Sequence, residues 1–133
     1  MRAKILNASA GSGKTYQLAY KYVRDVIDQP GLYRHILAVT FTNKATEEMK
    51  SRILKEIHRL ASGGASPYLE NLCRELSLDE RSVRKRAAEV RSKILHDYSR
   101  FTVLTIDTFF QRILRAFIKE LGIDLNYNVE IET

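Results

Sequence analysis

The sequence predicts an α/β fold: a parallel sheet with flanking helices and a helical excursion between its second and third strands. Three observations carry this. The stretch Ala8-Ser9-Ala10-Gly11-Ser12-Gly13-Lys14-Thr15 follows an apolar pair, Ile5-Leu6, and precedes a helical pattern, the strand–loop–helix setting of a phosphate-binding loop. The run His35-Ile36-Leu37-Ala38-Val39-Thr40 is apolar and β-branched almost throughout, as in a strand buried on both faces. Strand-like runs alternate with apolar residues at helical spacing, the pattern that builds parallel sheets.

Composition sets the class. With 133 residues one domain is expected, long enough to bury a core, and 44% apolar residues fit a globular protein. The formal net charge is +6, from 22 basic and 16 acidic residues, which suits a polyanionic partner and equally a bland basic surface. Cys73 is the single cysteine, so an internal disulfide is excluded and a reducing, cytoplasmic compartment is expected. Met1-Arg2-Ala3-Lys4 leads directly into the first strand, so no leader is expected, and no apolar run is long enough to span a membrane.

The first strand is expected over residues 4–7. In the loop after it, backbone N–H groups of Ala10, Gly11, Ser12 and Gly13 can curl around phosphate oxygens, helped by small side chains. The helix that starts there adds its unpaired N–H groups and positive dipole end. Lys14 can reach the outer phosphates and the Thr15 hydroxyl can ligate magnesium, so ATP and magnesium are the expected cofactors. Ala8 stands where the usual pattern has its first glycine. From Lys14 the rows Leu18, Tyr22, Val26 and Ala19, Val23, Ile27 predict a helix that stops near Asp28, before Pro30-Gly31. Tyr16, Tyr20 and Tyr22 are read as packing residues, although Tyr16 stands close enough to the loop to touch a base.

After the second strand comes Phe41-Thr42-Asn43-Lys44, with Thr42 or Asn43 as the cap of a helix striped by Ala45, Met49, Ile53, Ile57 and Leu60. Glu48 and Arg52 stand in i,i+4 register. An exposed Phe41 beside hydroxyls and a lysine would suit single-stranded nucleic acid; a buried Phe41 beside an ordinary cap is the equal alternative.

Residues 61–100 read as the helical excursion. Ser66-Pro67 looks like a cap and first helical position, and Leu69, Leu72, Cys73 and Leu76 form an apolar face. Ser77 and Glu80 have capping-box spacing, and Val83, Ala87, Val90 and Ile94 mark a long helix. Its other face carries Arg81, Arg84, Lys85, Arg86, Arg91 and Lys93, read as solvated. His58 and His96 have no metal-ligand companions. The third strand is expected over residues 102–106, with Asp107 or Thr108 capping a helix whose buried stripe is Phe109, Phe110, Ile113, Leu114, Phe117 and Leu121, closed by Gly122. In the tail, residues 123–133, Leu125, Tyr127, Val129 and Ile131 alternate with polar residues as in a half-buried strand.

The stretch "ILAVTFTNKATEEMKSRI" resembles the first DNA-contacting motif of UvrD/RecB-type superfamily one DNA helicases, and "ASAGSGKT" is similar to their phosphate loop. "TVLTIDTFFQRILRAF" is similar to their next DNA-contacting motif. The resemblance implies a partial RecA-like motor domain over residues 1–133 that binds ATP and single-stranded DNA, with the RecB and AddA branch the better match. It implies DNA contacts at Thr40, Phe41, Thr42, Asn43, Lys44, Thr105 and Asp107. Asp107 replaces the branch's histidine, and Thr46 and Glu47 replace small residues. The acidic Walker B motif, the second motor domain and any nuclease domain are expected elsewhere in a larger protein acting in DNA repair or recombination, together with a possible partner subunit. No catalytic residue beyond Lys14 is named, so this section alone is expected to be inactive. Two rivals remain. One is a small nucleotide switch or phosphotransferase in which the run 103–107 is a Walker B strand ending in Asp107. The other is an oligomeric DNA-binding module that has lost nucleotide chemistry.

Overall fold

The computed structural model of the chain describes residues 4–8 and 12–122, with side chains from Tyr16 onward. The elements follow in the order β1 (Lys4–Ala8), α1 (Ser12–Asp28), β2 (Ile36–Thr40), α2 (Asn43–Ala61), α3 (Leu69–Leu76), α4 (Glu80–His96), β3 (Thr102–Thr105) and α5 (Ile106–Glu120). A 3-10 turn, Pro30–His35, joins α1 to β2: Pro30 ends the helix but its fixed φ still suits a tighter turn. The tail strand expected from Leu125 to Ile131 lies outside the described residues.

The three strands are parallel in the order β1-β2-β3. Both crossovers move in the same direction across the sheet, and right-handed connections therefore place their helices on one face. That face holds the core. Ile36, Ala38 and Val103 project into it from alternate strand positions and meet Ala19, Val23 and Ile27 of α1 and Met49, Ile53, Ile57 and Leu60 of α2. The expected apolar stripes of α1, α2 and α4 are buried there, including Val83, Ala87, Val90 and Ile94, except that Leu18 and Ala45 are half-buried. The excursion is helical as expected, and α3 adds Leu72, with Leu69, Cys73 and Leu76 packed alongside.

Several local expectations are corrected. Ser66 does not cap α3. Its backbone partner is the Tyr68 N–H and its hydroxyl donates to Glu56 Oε1 at 3.1 Å, so Ser66-Pro67 forms a turn ahead of a helix that starts at Leu69. The capping box is displaced: Asp79, not Ser77, caps α4 by accepting from the Ser82 N–H at 2.8 Å. Ser77 instead closes α3 in a left-handed conformation, φ 53° and ψ 42°. Arg52 pairs with the buried carboxylate of Glu56 at 3.7 Å, which also meets Ser66 and Arg59.

The basic face of α4 is not uniformly solvated. Arg84 donates to the carbonyls of Leu60 at 3.1 Å and Gly64 at 3.0 Å, tying off the end of α2. Arg86 does the same for α1, donating to Asp28 at 3.0 Å and Ile27 at 3.3 Å. The last carbonyls of a helix lack intrahelical partners, and a guanidinium satisfies two at once. The remaining large correction is α5. Its apolar stripe is not buried: Phe110 and Phe117 are each 60% exposed, with Ile113 and Leu121 also outside. Periodicity marks an apolar face without naming its cover, and among the described elements α5 packs chiefly on β2 and β3.

The two arginine roles separate by substitution. Arg84→Met should cost about 1.5–3 kcal/mol in urea unfolding, the range for hydrogen bonds to a charged group. Lys85→Met, on the exposed side of the same helix, should stay within about 0.5 kcal/mol. Equal losses would mean that Arg84 does not tie α2 to α4.

Candidate nucleotide and nucleic-acid face

The three strands end level with one another. Ala8 is the register partner of Thr40, and Thr40 is the register partner of Thr105. The strand that leads into the phosphate loop, the strand that leads into Phe41 and the strand that leads into α5 therefore share one carboxyl edge. Open parallel sheets bind ligands outside that edge.

Of the phosphate loop, Ser9, Ala10 and Gly11 lie outside the described residues, as do the side chains of Ser12, Gly13, Lys14 and Thr15. The backbone places the start of α1 at Ser12, shortly after β1 ends at Ala8. Tyr16 packs edge-on against Tyr68 with ring centroids 5.2 Å apart, and the Arg52 guanidinium lies 5.3 Å from the Tyr16 ring centre. The Tyr68 hydroxyl donates to the Tyr16 carbonyl at 3.1 Å, and burial holds the Tyr68 phenol well above its ordinary pKa. Tyr20 also meets the Tyr68 ring at 5.2 Å; burial first, then the Glu75 carboxylate, push its pKa up to about 12. Tyr22 is fully buried.

At the end of β2 the five expected contact residues divide. Phe41 is 52% exposed, which decides against the core reading, and Thr42, Asn43 and Lys44 are exposed beside it at the start of α2. Thr40 is fully buried, with its hydroxyl 2.6 Å from that of Thr46 and within 3.2 Å of the Thr42 carbonyl. Thr40 therefore fixes the loop and leaves the surface to the four residues after it. Thr42 caps α2, its hydroxyl accepting from the Ala45 N–H at 3.0 Å. Thr46, an oddity of the sequence, now has a use: its hydroxyl satisfies the buried Thr40 and donates to the Thr42 carbonyl at 3.1 Å.

At the end of β3 the cap is Thr105, not Asp107 or Thr108. Its hydroxyl accepts from the Thr108 N–H at 3.2 Å and lies 3.0 Å from the Thr108 hydroxyl. Asp107 falls in the first turn of α5, half-buried, and no longer at a strand end. The switch reading required a strand that runs through to Asp107; β3 stops two residues short.

Sequence reasoning missed Glu56. Its carboxylate is fully buried among Ser66, Arg59 at 3.5 Å and Arg52 at 3.7 Å. The signal available was the spacing Arg52–Glu56–Arg59 on a helix, two basic residues within one turn of one acid.

Known proteins share this sequence over nearly its whole length. The family model described as UvrD/REP helicase N-terminal domain matches residues 2–133. The chain is 31% identical over 127 residues to the RecBCD enzyme subunit RecB of Escherichia coli strain K12, covering 90% of this chain and 11% of that protein. It is 29% identical over 125 residues to an ATP-dependent helicase/nuclease subunit of Lactococcus lactis subsp. cremoris, covering 94% of this chain and 9% of that protein. The protein of the same name from Bacillus mycoides is 26% identical over 131 residues, with 97% and 9% covered. The chain thus spans about a tenth of the length of these relatives. No solved structure gives a significant match.

The cap at the edge can be checked without a ligand. Thr105→Ala should lower stability by about 0.5–2 kcal/mol, and Thr105→Asn, which restores a capping oxygen, should recover most of it. An asparagine variant as unstable as the alanine variant in thermal unfolding would remove the cap from Thr105.

Proposed function

Because the chain belongs to the UvrD/REP helicase N-terminal domain family, we propose that it is the ATP- and single-stranded-DNA-binding first section of an ATP-dependent DNA helicase of the RecB and AddA type. One observation supports this above the others: Ala8, Thr40 and Thr105 end level, so the phosphate loop and the exposed Phe41 loop open on the same edge. The sheet is the first part of a RecA-like core. Lys14 and the backbone of residues 10–13 hold the triphosphate, and Thr15 holds magnesium. The start of α1 so soon after β1 fits that group, because the first N–H groups of a helix are unpaired and face the anion.

DNA is held by Phe41, Thr42, Asn43 and Lys44, with Thr40 positioning them from below and Thr105 bracing the neighbouring strand end. An exposed ring beside a cation gives stacking plus phosphate attraction, which is sequence-tolerant. Asp107, at the start of α5, sits at the margin of this surface. In the whole protein, hydrolysis would move a second motor domain against this one, and a partner subunit would complete a cytoplasmic helicase–nuclease acting in repair or recombination.

Two outcomes test this. Titration calorimetry should show magnesium-dependent ATP binding by the chain that Lys14→Ala largely abolishes; equal affinities would overturn the nucleotide assignment. In fluorescence anisotropy at low salt, Phe41→Ala should weaken single-stranded DNA binding by about 1–3 kcal/mol. Lys44→Ala should flatten the salt dependence by about 0.7 in logarithmic slope, one phosphate's worth. DNA affinity indifferent to both substitutions would move the DNA site elsewhere.

A further inference from the structure

Where α2 and α4 pack side by side, their outer surface is parted by a cleft of about 210 Å³. Leu54, Ile57, Ile94 and Leu95 line it, with His58 and Arg91. Leu54 and His58 stand one turn apart on α2, and Arg91 and Leu95 one turn apart on α4, so each helix lends the cleft one turn of its surface. Leu95 is 71% exposed, the most exposed large apolar side chain among the described residues. The cleft lies about 16–22 Å along α2 from Asn43, well away from the carboxyl edge of the sheet. Sites for drug-sized ligands hold roughly 300–1,000 Å³, so this one is the size of a single side chain.

Its rim is polar on one side. Arg91 Nη1 lies 3.1 Å from His58 Nδ1. A guanidinium only donates, so Nδ1 accepts, and a ring that accepts at Nδ1 carries its proton on Nε2. The rim therefore offers two kinds of donor, the remaining N–H groups of Arg91 and the Nε2–H of His58. His58 satisfies one N–H of Arg91 without cancelling its charge, and among the described residues Arg91 makes no ion pair. The surrounding charge has the same sign. Lys55 is exposed next to Leu54. Glu56 is buried and held by Ser66, Arg52 and Arg59. Glu89 lies about 200° around α4 from Arg91, and the exposed Glu47 and Glu48 stand about 10 Å back along α2 from Leu54.

An apolar hollow of one side chain with a cation and a second donor at its rim is complementary to a group that is apolar and anionic at once. The last residue of a polypeptide is such a group, with its side chain and its carboxylate on one Cα. An internal acidic residue would need a second residue to fill the hollow. We propose that the cleft between α2 and α4 captures the carboxyl-terminal residue of a partner polypeptide. Its phenylalanine, leucine or isoleucine side chain lies between Leu54 and Leu95, and its terminal carboxylate meets Arg91 and His58 Nε2. This site is separate from the carboxyl edge and independent of whether that edge binds ATP or DNA.

The probe is the pentapeptide Gly-Ser-Gly-Ser-Phe, carrying a fluorophore on its amino end and a free carboxyl end, titrated with the chain in fluorescence anisotropy. The same peptide ending in an amide should bind about tenfold more weakly, because it loses the hydrogen bonds to a charged acceptor. The peptide ending in alanine, with the same charge, should also bind severalfold more weakly. Arg91→Met should bind the acid and the amide alike. Leu95→Gln, at an exposed position, should weaken the phenylalanine peptide severalfold, and Lys85→Met should leave it unchanged. In heteronuclear NMR of the unsubstituted chain, which needs no variant to fold, the peptide should shift the amides around His58, Arg91 and Leu95. No binding of the free-acid peptide overturns the proposal. So does equal binding of the alanine peptide, which would leave only charge attraction. Amide shifts confined to the Phe41 loop or to α5 would place the peptide elsewhere and overturn it as well.

Discussion

Parallel pairing that stops at one level is the constraint on which the rest of this molecule depends. Neighbouring strands lie about 4.8 Å apart, so register partners at Ala8, Thr40 and Thr105 place three chain exits within about 10 Å of each other. A slip of one residue in β2 would turn Thr40 out of the core, turn Leu37 and Val39 in, and aim Phe41 elsewhere. The hydroxyl pair Thr40–Thr46, at 2.6 Å, guards against such a slip, because a buried hydroxyl without its partner is costly. The exposed loop from Phe41 to Lys44 is therefore firmly mounted, with the Thr42 hydroxyl tied to the start of α2 and the side chains of Phe41, Asn43 and Lys44 exposed.

The helical layer braces the same edge from behind. Glu56 sits among apolar residues of α2, and a buried carboxylate is tolerated only with close partners. Ser66 holds it from the excursion, Arg59 from the next turn of α2, and Arg52 holds it while lying over the Tyr16 ring at 5.3 Å. Tyr68 adds a hydrogen bond to the backbone of Tyr16. The first turns of α1, which carry the phosphate loop, and the middle of α2, which carries the Phe41 loop, are thus joined through Tyr16. The excursion, which contributes no residue to the candidate ligand set, supplies Ser66 and Tyr68 to that joint and Arg84 and Arg86 to the ends of α2 and α1. A site built on such supported helix starts can hold its geometry without a ligand present.

What could be read from the residues follows from the range of each signal. Strand and helix identity was legible because apolar period is a local property: the stripes Val83–Ala87–Val90–Ile94 and Met49–Ile53–Ile57–Leu60 are buried as spaced. Caps were legible in kind but slipped in position at Asp79 and Thr105, since neighbouring Ser, Thr and Asp residues compete for one helix start. The exposure of Phe41 left two readings open because it depends on what lies above the strand end, and the role of Thr40 depends on Thr46 across a turn. The tasks of Arg84, Arg86 and Glu56 were not legible: each is defined by a carbonyl or hydroxyl distant in sequence.

The two faces of the sheet explain why α5 misled. Parallel sheets are normally covered on both sides, so a helix after β3 with an apolar stripe was read as buried. The structure covers one face with α1, α2 and α4 packed over Ile36, Ala38 and Val103, and among the described residues lays α5 alone over Leu37 and Leu104. The covered face supports the carboxyl edge, since the hydrogen bonds and ring contacts of Thr40 and Tyr16 among the described residues lie on that side or at the edge. The second face leaves α5 with one side on the sheet and the other side, from Phe110 to Leu121, as apolar as a core helix, and a helix striped on both sides is built to lie between two layers.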